Sequence, residues 1–189
     1  MHRGESSKYL GDIYHSSGKS KYNILERSAK AHGILAEICA ILNEVPLGNY
    51  RTEAGLHLRQ AMFINCVLYN SEVWQGLDST DLTMLQNIDH QIMRVIYNDA
   101  HSKTPVEFLY LESATLPLKY ILASRRIMYL HNILSKDKEE LVKRVYEVQK
   151  NNPTPGDFIC LVKEDLKTIG EPFDEDKIVS MNKLQIKQV

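Results

Sequence analysis

Cysteine is scarce in this chain, and the few present stand apart. Cys39, Cys66 and Cys160 are the three among 189 residues. An odd number, each inside an apolar run, argues against a disulfide framework and for packed thiols in a reducing compartment. No C-x-x-C, H-x-x-x-H or H-E-x-x-H spacing occurs, and the seven histidines are scattered, which argues against zinc. No two aspartates are adjacent. Asp99 in "YNDA" stands alone, so the clustered carboxylates that two-metal phosphoryl transfer needs are missing. There is no G-x-S-x-G elbow either. The chain is therefore assigned no catalytic residue and no metal ligand. Long apolar runs are absent too: "AMFINCVLY" is short and carries Asn65, so no membrane partner is expected. The opening "MHRGESSKYL" is polar and lacks the character of a signal peptide. These absences together describe a soluble, intracellular protein with room for one real core.

Charge of one sign is also lacking, with 23 Lys and Arg against 24 Asp and Glu. The distribution is uneven. Residues 1–36 carry Arg3, Lys8, Lys19, Lys21, Arg27 and Lys30 against Glu5, Asp12 and Glu26. Residues 113–136 hold basic side chains and no acid, whereas acids dominate 157–176. A local basic face is compatible with a neutral total.

The triplet Gly18-Lys19-Ser20 invites comparison with a phosphate-binding loop. That loop needs a further glycine five residues earlier, where this chain has Ile13. "SSGKS" is better read as a hairpin turn following a strand over 8–14. Helical patterns then take over. Asn23 with Glu26 suggests a capping box, followed by Ile34, Ile38, Ile41, Leu42 and Val45 up to Pro46 and Gly48. A helix over about 52–73 is apolar around much of its circumference, which predicts a central, buried element. Thr80 opens a helix with the stripe Leu82, Leu85, Ile88, Ile92, Val95 and Ile96. Thr104, Pro105 and Glu107 read as the capped start of a short helix. Pro117 opens another, carrying Leu118, Ile121, Leu122, Arg125, Met128 and Ile133. Asp137 with Glu140 suggests the next cap. A helix from Phe158 ends near Gly170, "EPFDED" reads as a linker, and Ile178, Met181 and Leu184 form a last apolar pattern. Trp74 is expected as a core anchor rather than a base-stacking residue. The class is mainly α: an irregular helical bundle with a short N-terminal β-hairpin.

Several segments, taken in order, resemble the C-terminal part of a reverse transcriptase from a non-LTR (LINE-type) retrotransposon. "KYLGDIYHSSGK" at 8–19 is similar to the last palm motif, the primer-grip hairpin. "EVPLGNYRTEAGLHLRQAMFINCVLYNSEVW" at 44–74, "HSKTPVEFLYLESATLPLKYILASRRIMYLHNIL" at 101–134 and "PTPGDFICLVKEDLKTIG" at 153–170 look like the helical thumb and following connector. The resemblance covers nearly the whole chain. It divides the sequence into a palm-end hairpin (1–22), a thumb-like domain (23–150), a connector helix (151–170), and a linker with a cut-off helix (171–189).

The resemblance implies a piece that grips the primer–template duplex, RNA–DNA or DNA, without regard to sequence. Catalytic aspartates, and the Mg2+ they hold, would belong to a palm upstream of Met1, itself a partner of this chain. This chain would then be no enzyme and would bind no cofactor of its own. Its location would be nuclear. Lys8, Tyr9, Leu10 and Gly11 would steady the primer end, and Lys30, Lys119, Arg125 and Arg126 would meet phosphates. For Arg125 and Arg126 the alternative is an ion pair with Glu107 or Glu112. The rival to the whole reading is a stand-alone helical module, derived from a retroelement, that binds protein.

Overall fold

The computed structural model describes residues 6–9, 12–16, 20–75, 79–98 and 103–181. By packing, the chain divides into two units, Met1–Tyr69 with Asp78–Lys119, and Asn70–Leu77 with Tyr120–Val189. This grouping cuts across the four segments read from the sequence. The hairpin joins the first helices, and the last helices join the second unit.

The first unit begins with strands β1 (Ser6–Tyr9) and β2 (Asp12–His15), paired antiparallel with Ser6 opposite His15 and Tyr9 opposite Asp12. The single strand expected over 8–14 is thus two. A side-chain period of two reads the same along one strand or across a reversal, so alternation could not separate them. Leu10 and Gly11, and Ser17, Gly18 and Lys19 of the expected turn, lie outside the described residues.

Helix α1 (Lys21–Asn43) buries Ile24, Ala31, Ile38 and Leu42. Asn23 is not a cap: it is buried inside the helix, and its side chain accepts a bond from the Ile13 N–H. Helix α4 (Ser79–Ile96) packs on α1 and buries Leu85, Ile88, Ile92, Met93 and Ile96. Leu85, Ile88, Ile92 and Ile96 follow the predicted stripe, whereas Leu82 and Val95 are half-buried and Met93 joins the inner face.

The expected helix over 52–73 is several pieces. Helix α2 (Asn49–Leu58) widens into a π-helical stretch, Arg59–Ile64, and closes with one α turn, α3 (Asn65–Val67). Asn70 then turns left-handed (φ 57°) and a 3₁₀ turn follows at Ser71–Val73. Nor is this helix apolar all round: Tyr69 is half exposed, while Arg51 and Arg59 lie inside. Gly55 sets how close it comes to α4, since a Cβ there would sit 2.8 Å from Ile96 Cγ1.

Arg59 is inside because a carboxylate and a carbonyl meet it there. Its Nε and Nη2 donate to the two carboxylate oxygens of Asp89 on α4 at 2.7 and 2.8 Å, and Nη2 also donates to the Leu116 carbonyl at 3.0 Å. The Tyr110 hydroxyl, from helix α5 (Val106–Glu112), donates to Asp89 at 2.7 Å. Gln86 donates to that hydroxyl at 3.2 Å and bridges to His90 Nε2 at 2.8 Å. Burial, reinforced by Asp89, pushes the Tyr110 hydroxyl far above its usual range. The cap position expected of Thr104 falls one residue later. Pro105 holds the cap position of α5, without a side-chain bond.

The second unit contains most of α6 (Leu118–Leu134), with α7 (Leu141–Asn151), α8 (Phe158–Thr168) and α9 (Glu175–Ser180). Ile127, Leu130, Ile133, Phe158, Ile159, Val162 and Ile178 share its core. Tyr146 is buried among them and donates to Glu175 at 2.6 Å. Glu140, not Asp137, holds the cap position of α7, and its side chain makes no capping bond but pairs with Lys136 at 3.1 Å. The true side-chain cap lies in the segment read as a linker: Asp174 accepts the N–H of Asp176 and Lys177 at 3.0 and 3.1 Å. Trp74 is buried, as expected, and the three cysteines are free and half-buried. Among the described residues no helix is long and apolar enough to cross a membrane.

Two predictions follow from the Asp89 network. Asp89→Ala strands the buried Arg59 cation and is expected to cost about 3–5 kcal/mol in urea unfolding. Arg59→Met with Asp89→Leu together should recover most of that loss. The second concerns pH. Burial holds the His90 pKa below its ordinary 6.5, against the pull of Asp89 and Glu107. The unfolded chain therefore takes up this proton first, so the contribution is whole above about pH 6.5 and declines as pH falls through it. Comparing urea midpoints near pH 7.5 and pH 5.5 should show a smaller acid loss in His90→Gln than in the wild type.

Candidate nucleic-acid interface

The hairpin is pinned to α1 by a buried pair. Arg27 Nη2 donates to Asp12 at 3.0 Å, Nη1 donates to the Cys66 carbonyl at 2.7 Å, and the guanidinium lies 5.5 Å from the Tyr69 ring. Both charges are almost fully buried, and each removes the other's desolvation cost only in this pairing. The pin fixes where β1 presents its side chains against α1.

Tyr22, Glu26 and Lys30 stand four residues apart and share one ridge of α1. Lys8, from β1, bonds the Glu26 carboxylate, and Lys30 reaches it at 3.1 Å. The two lysine side chains keep 55% and 46% exposure while both pair with Glu26. Hydrogen bonds from Lys8, then from Lys30, hold the Glu26 carboxyl below its usual pKa. Beside them the rings of His15 and Tyr22 stack at 4.1 Å, 21° from parallel, with Tyr22 partly exposed. The cluster thus combines two accessible cations, one carboxylate and a stacked aromatic pair. Such a surface suits a phosphate backbone, because ammonium groups are point charges that demand no base sequence.

The structure brings together only part of the expected set. Lys8 and Lys30 meet at Glu26. Tyr9 takes part as backbone, paired with Asp12, while Leu10 and Gly11 lie outside the described residues. Lys119 is exposed at the start of α6, and its N–H donates to Gln86 at 3.3 Å. Arg125 is half-buried in the second unit and lines a cleft of about 300 Å³ with Glu72, Ser124 and Tyr129. Burial lowers its pKa, and the Glu72 charge opposes that shift. Arg126 is committed elsewhere: Nε and Nη2 grip the two oxygens of Asp165 at 2.6 and 2.7 Å, with 6% of the residue exposed. Its partner is neither Glu107 nor Glu112, and its Nε–Nη2 fork is taken by Asp165. The apolar face of α6 runs through Leu122, Ile127, Leu130 and Ile133. Arg126 lies on that side, where the sequence pattern had put Arg125 and Met128.

The buried cations Arg27, Arg51 and Arg59 escaped the sequence reading, which treated arginine as a surface residue. Among the described residues, no three His, Cys, Asp or Glu side chains are grouped so as to hold a metal ion. The chain matches no family model, no curated protein and no solved structure.

Arg126→Ala should therefore act on stability and not on binding. An expected loss of about 3 kcal/mol in urea unfolding, matched by Asp165→Ala, would accompany unchanged nucleic-acid affinity per folded molecule.

Proposed function

We propose that this chain is the palm-end and thumb region of a non-LTR retrotransposon reverse transcriptase, and that it holds the primer–template duplex without catalysing synthesis. The observation that carries the reading is the hairpin bearing "KYLGD". It sets Lys8, on β1, beside Lys30, on α1, at the shared Glu26 carboxylate. Polymerisation, with its Mg2+, is assigned to a palm outside this sequence. The ligand is an RNA–DNA or DNA duplex, held through phosphates at Lys8 and Lys30. Lys119 and Arg125 are secondary candidates. The place of work is the nucleus, where such a duplex would be made. The rival reading, a helical protein-interaction module derived from a retroelement, draws on α7, where Leu141, Val145 and Val148 are exposed at helical spacing.

Fluorescence anisotropy with a labelled RNA–DNA hybrid, repeated across salt concentrations, separates the two. The duplex reading expects log affinity to fall linearly with log salt, and Lys8→Ala or Lys30→Ala each to reduce that slope by about one. Glu26→Gln should tighten binding, since it frees both ammonium groups from their shared carboxylate. Affinity that ignores salt and all three substitutions would overturn the reading and favour the rival.

A further inference from the structure

The Gln86 side chain is bonded at both ends of its amide, and its partners fix which end is which. The Lys119 N–H can only donate, so the atom 3.3 Å from it is Oε1. Lys119 is the second residue of α6, and its N–H is one of the helix-start donors that no carbonyl of the same helix reaches. Gln86, on α4, thus caps α6 from outside. The amide nitrogen faces the other way. One of its hydrogens goes to the Tyr110 hydroxyl at 3.2 Å, which must accept because it donates its own hydrogen to Asp89. The second goes to His90 Nε2 at 2.8 Å. That nitrogen must then carry the lone pair, so His90 is neutral with its proton on Nδ1. Gln86, His90, Tyr110 and Lys119 all belong to the first unit.

Protonation of His90 removes the acceptor on which this set depends. Nε2–H then points at an N–H of the amide, donor against donor at 2.8 Å. Turning the amide over brings Oε1 to His90, but it sets the amide hydrogens against the Lys119 N–H and leaves the Tyr110 hydroxyl without its donor. No orientation of Gln86 satisfies all three partners once the ring is charged.

We infer that Gln86 and His90 form a proton-operated latch: with the imidazole neutral, one amide holds the start of α6 and the Tyr110 seat of α5 together, and an imidazolium releases the α6 end. Among the described residues, the charges acting on the ring are Asp89 and Arg94 of α4 and Glu107 of α5. Arg59 faces Asp89 from the π-helical stretch, and the Tyr110 ring meets the imidazole edge-on at 5.9 Å. Lys119 approaches the amide by its backbone. Burial, with Arg94, holds the His90 pKa below its ordinary 6.5, while Asp89 and Glu107 pull it up. The latch is therefore closed above about pH 6.5 and opens as pH falls through a lower value. The inference rests on these hydrogen bonds and does not need the duplex reading.

The test uses NMR on the full, isotope-labelled chain. Near pH 7.5 the His90 ring should show a hydrogen on Nδ1 and none on Nε2. Solvent exchange of backbone amides is then followed downward in pH until His90 has titrated, each rate referred to that of an unstructured peptide. Protection of the Lys119 N–H should fall about three- to tenfold along the His90 titration curve. Ile127 and Leu130, further along α6, should keep theirs. In His90→Gln, which does not titrate, Lys119 protection should stay level across the same range. Gln86→Leu should lower it at every pH while Ile127 remains protected. A hydrogen on Nε2 near pH 7.5 overturns the latch. So does Lys119 protection that holds through the His90 titration, that falls only in step with Ile127, or that still falls in His90→Gln. Wild-type protection of Lys119 in Gln86→Leu overturns it as well.

Discussion

The pairing of Arg59 with Asp89 is the constraint around which the first unit is arranged. Neither charge could be buried alone, because each would carry a desolvation cost of several kcal/mol. Together they fix the π-helical stretch against α4, and the remaining lone pairs and donors recruit Tyr110, Gln86 and the Leu116 carbonyl. Roles along this chain of bonds are determined. Arg59 and Tyr110 both donate to the carboxylate, so the tyrosine oxygen is left to accept from Gln86. The result is a polar core in which the Asp89 carboxylate accepts three bonds and α5 is tied to α4 through Tyr110.

The arginine pairs found elsewhere follow the same logic at smaller scale. Arg27 with Asp12 holds the hairpin, and Arg126 with Asp165 holds α8 to α6. Arg27, Arg59 and Arg126, each with a planar fork that matches a carboxylate, tie elements together inside. Lys8 and Lys30, with compact charges on flexible stems, remain on the outside and share Glu26. The surface charge available to a polyanion is therefore less than the count of basic residues suggests, because these three arginines are committed to carboxylates within the fold.

Sequence patterns revealed the helical class, the stripe on α4, the burial of Trp74 and the existence of a hairpin. All of these rest on apolar periodicity or turn residues, which a single chain displays directly. The buried ion pairs were hidden, because hydropathy scores arginine and aspartate as surface residues whatever their partner. A trace of them was present. Arg51, Gly55, Arg59, Phe63 and Val67 recur every fourth residue, and all are buried. Read without regard to polarity, that spacing marks the inner face of α2 and its continuation. Meeting at Glu26 depends on the fold, so nothing in the sequence could say that Lys8 and Lys30 would converge while Arg126 would turn inward.

The four-residue recurrence also explains the π-helical stretch. In an α-helix a step of four overshoots one turn by about 40°, so a face marked every fourth residue drifts around the axis. The wider Arg59–Ile64 turn rotates less per residue and cancels part of that drift, which keeps Phe63 and Val67 on the side of Arg59. The number of residues between Arg51 and Val67 is consequently held more tightly than their identities. Loss of a single residue there would turn everything beyond it by about 100° and direct the inner side chains into water. Many substitutions along this helix would leave its phase intact, whereas one deletion would not.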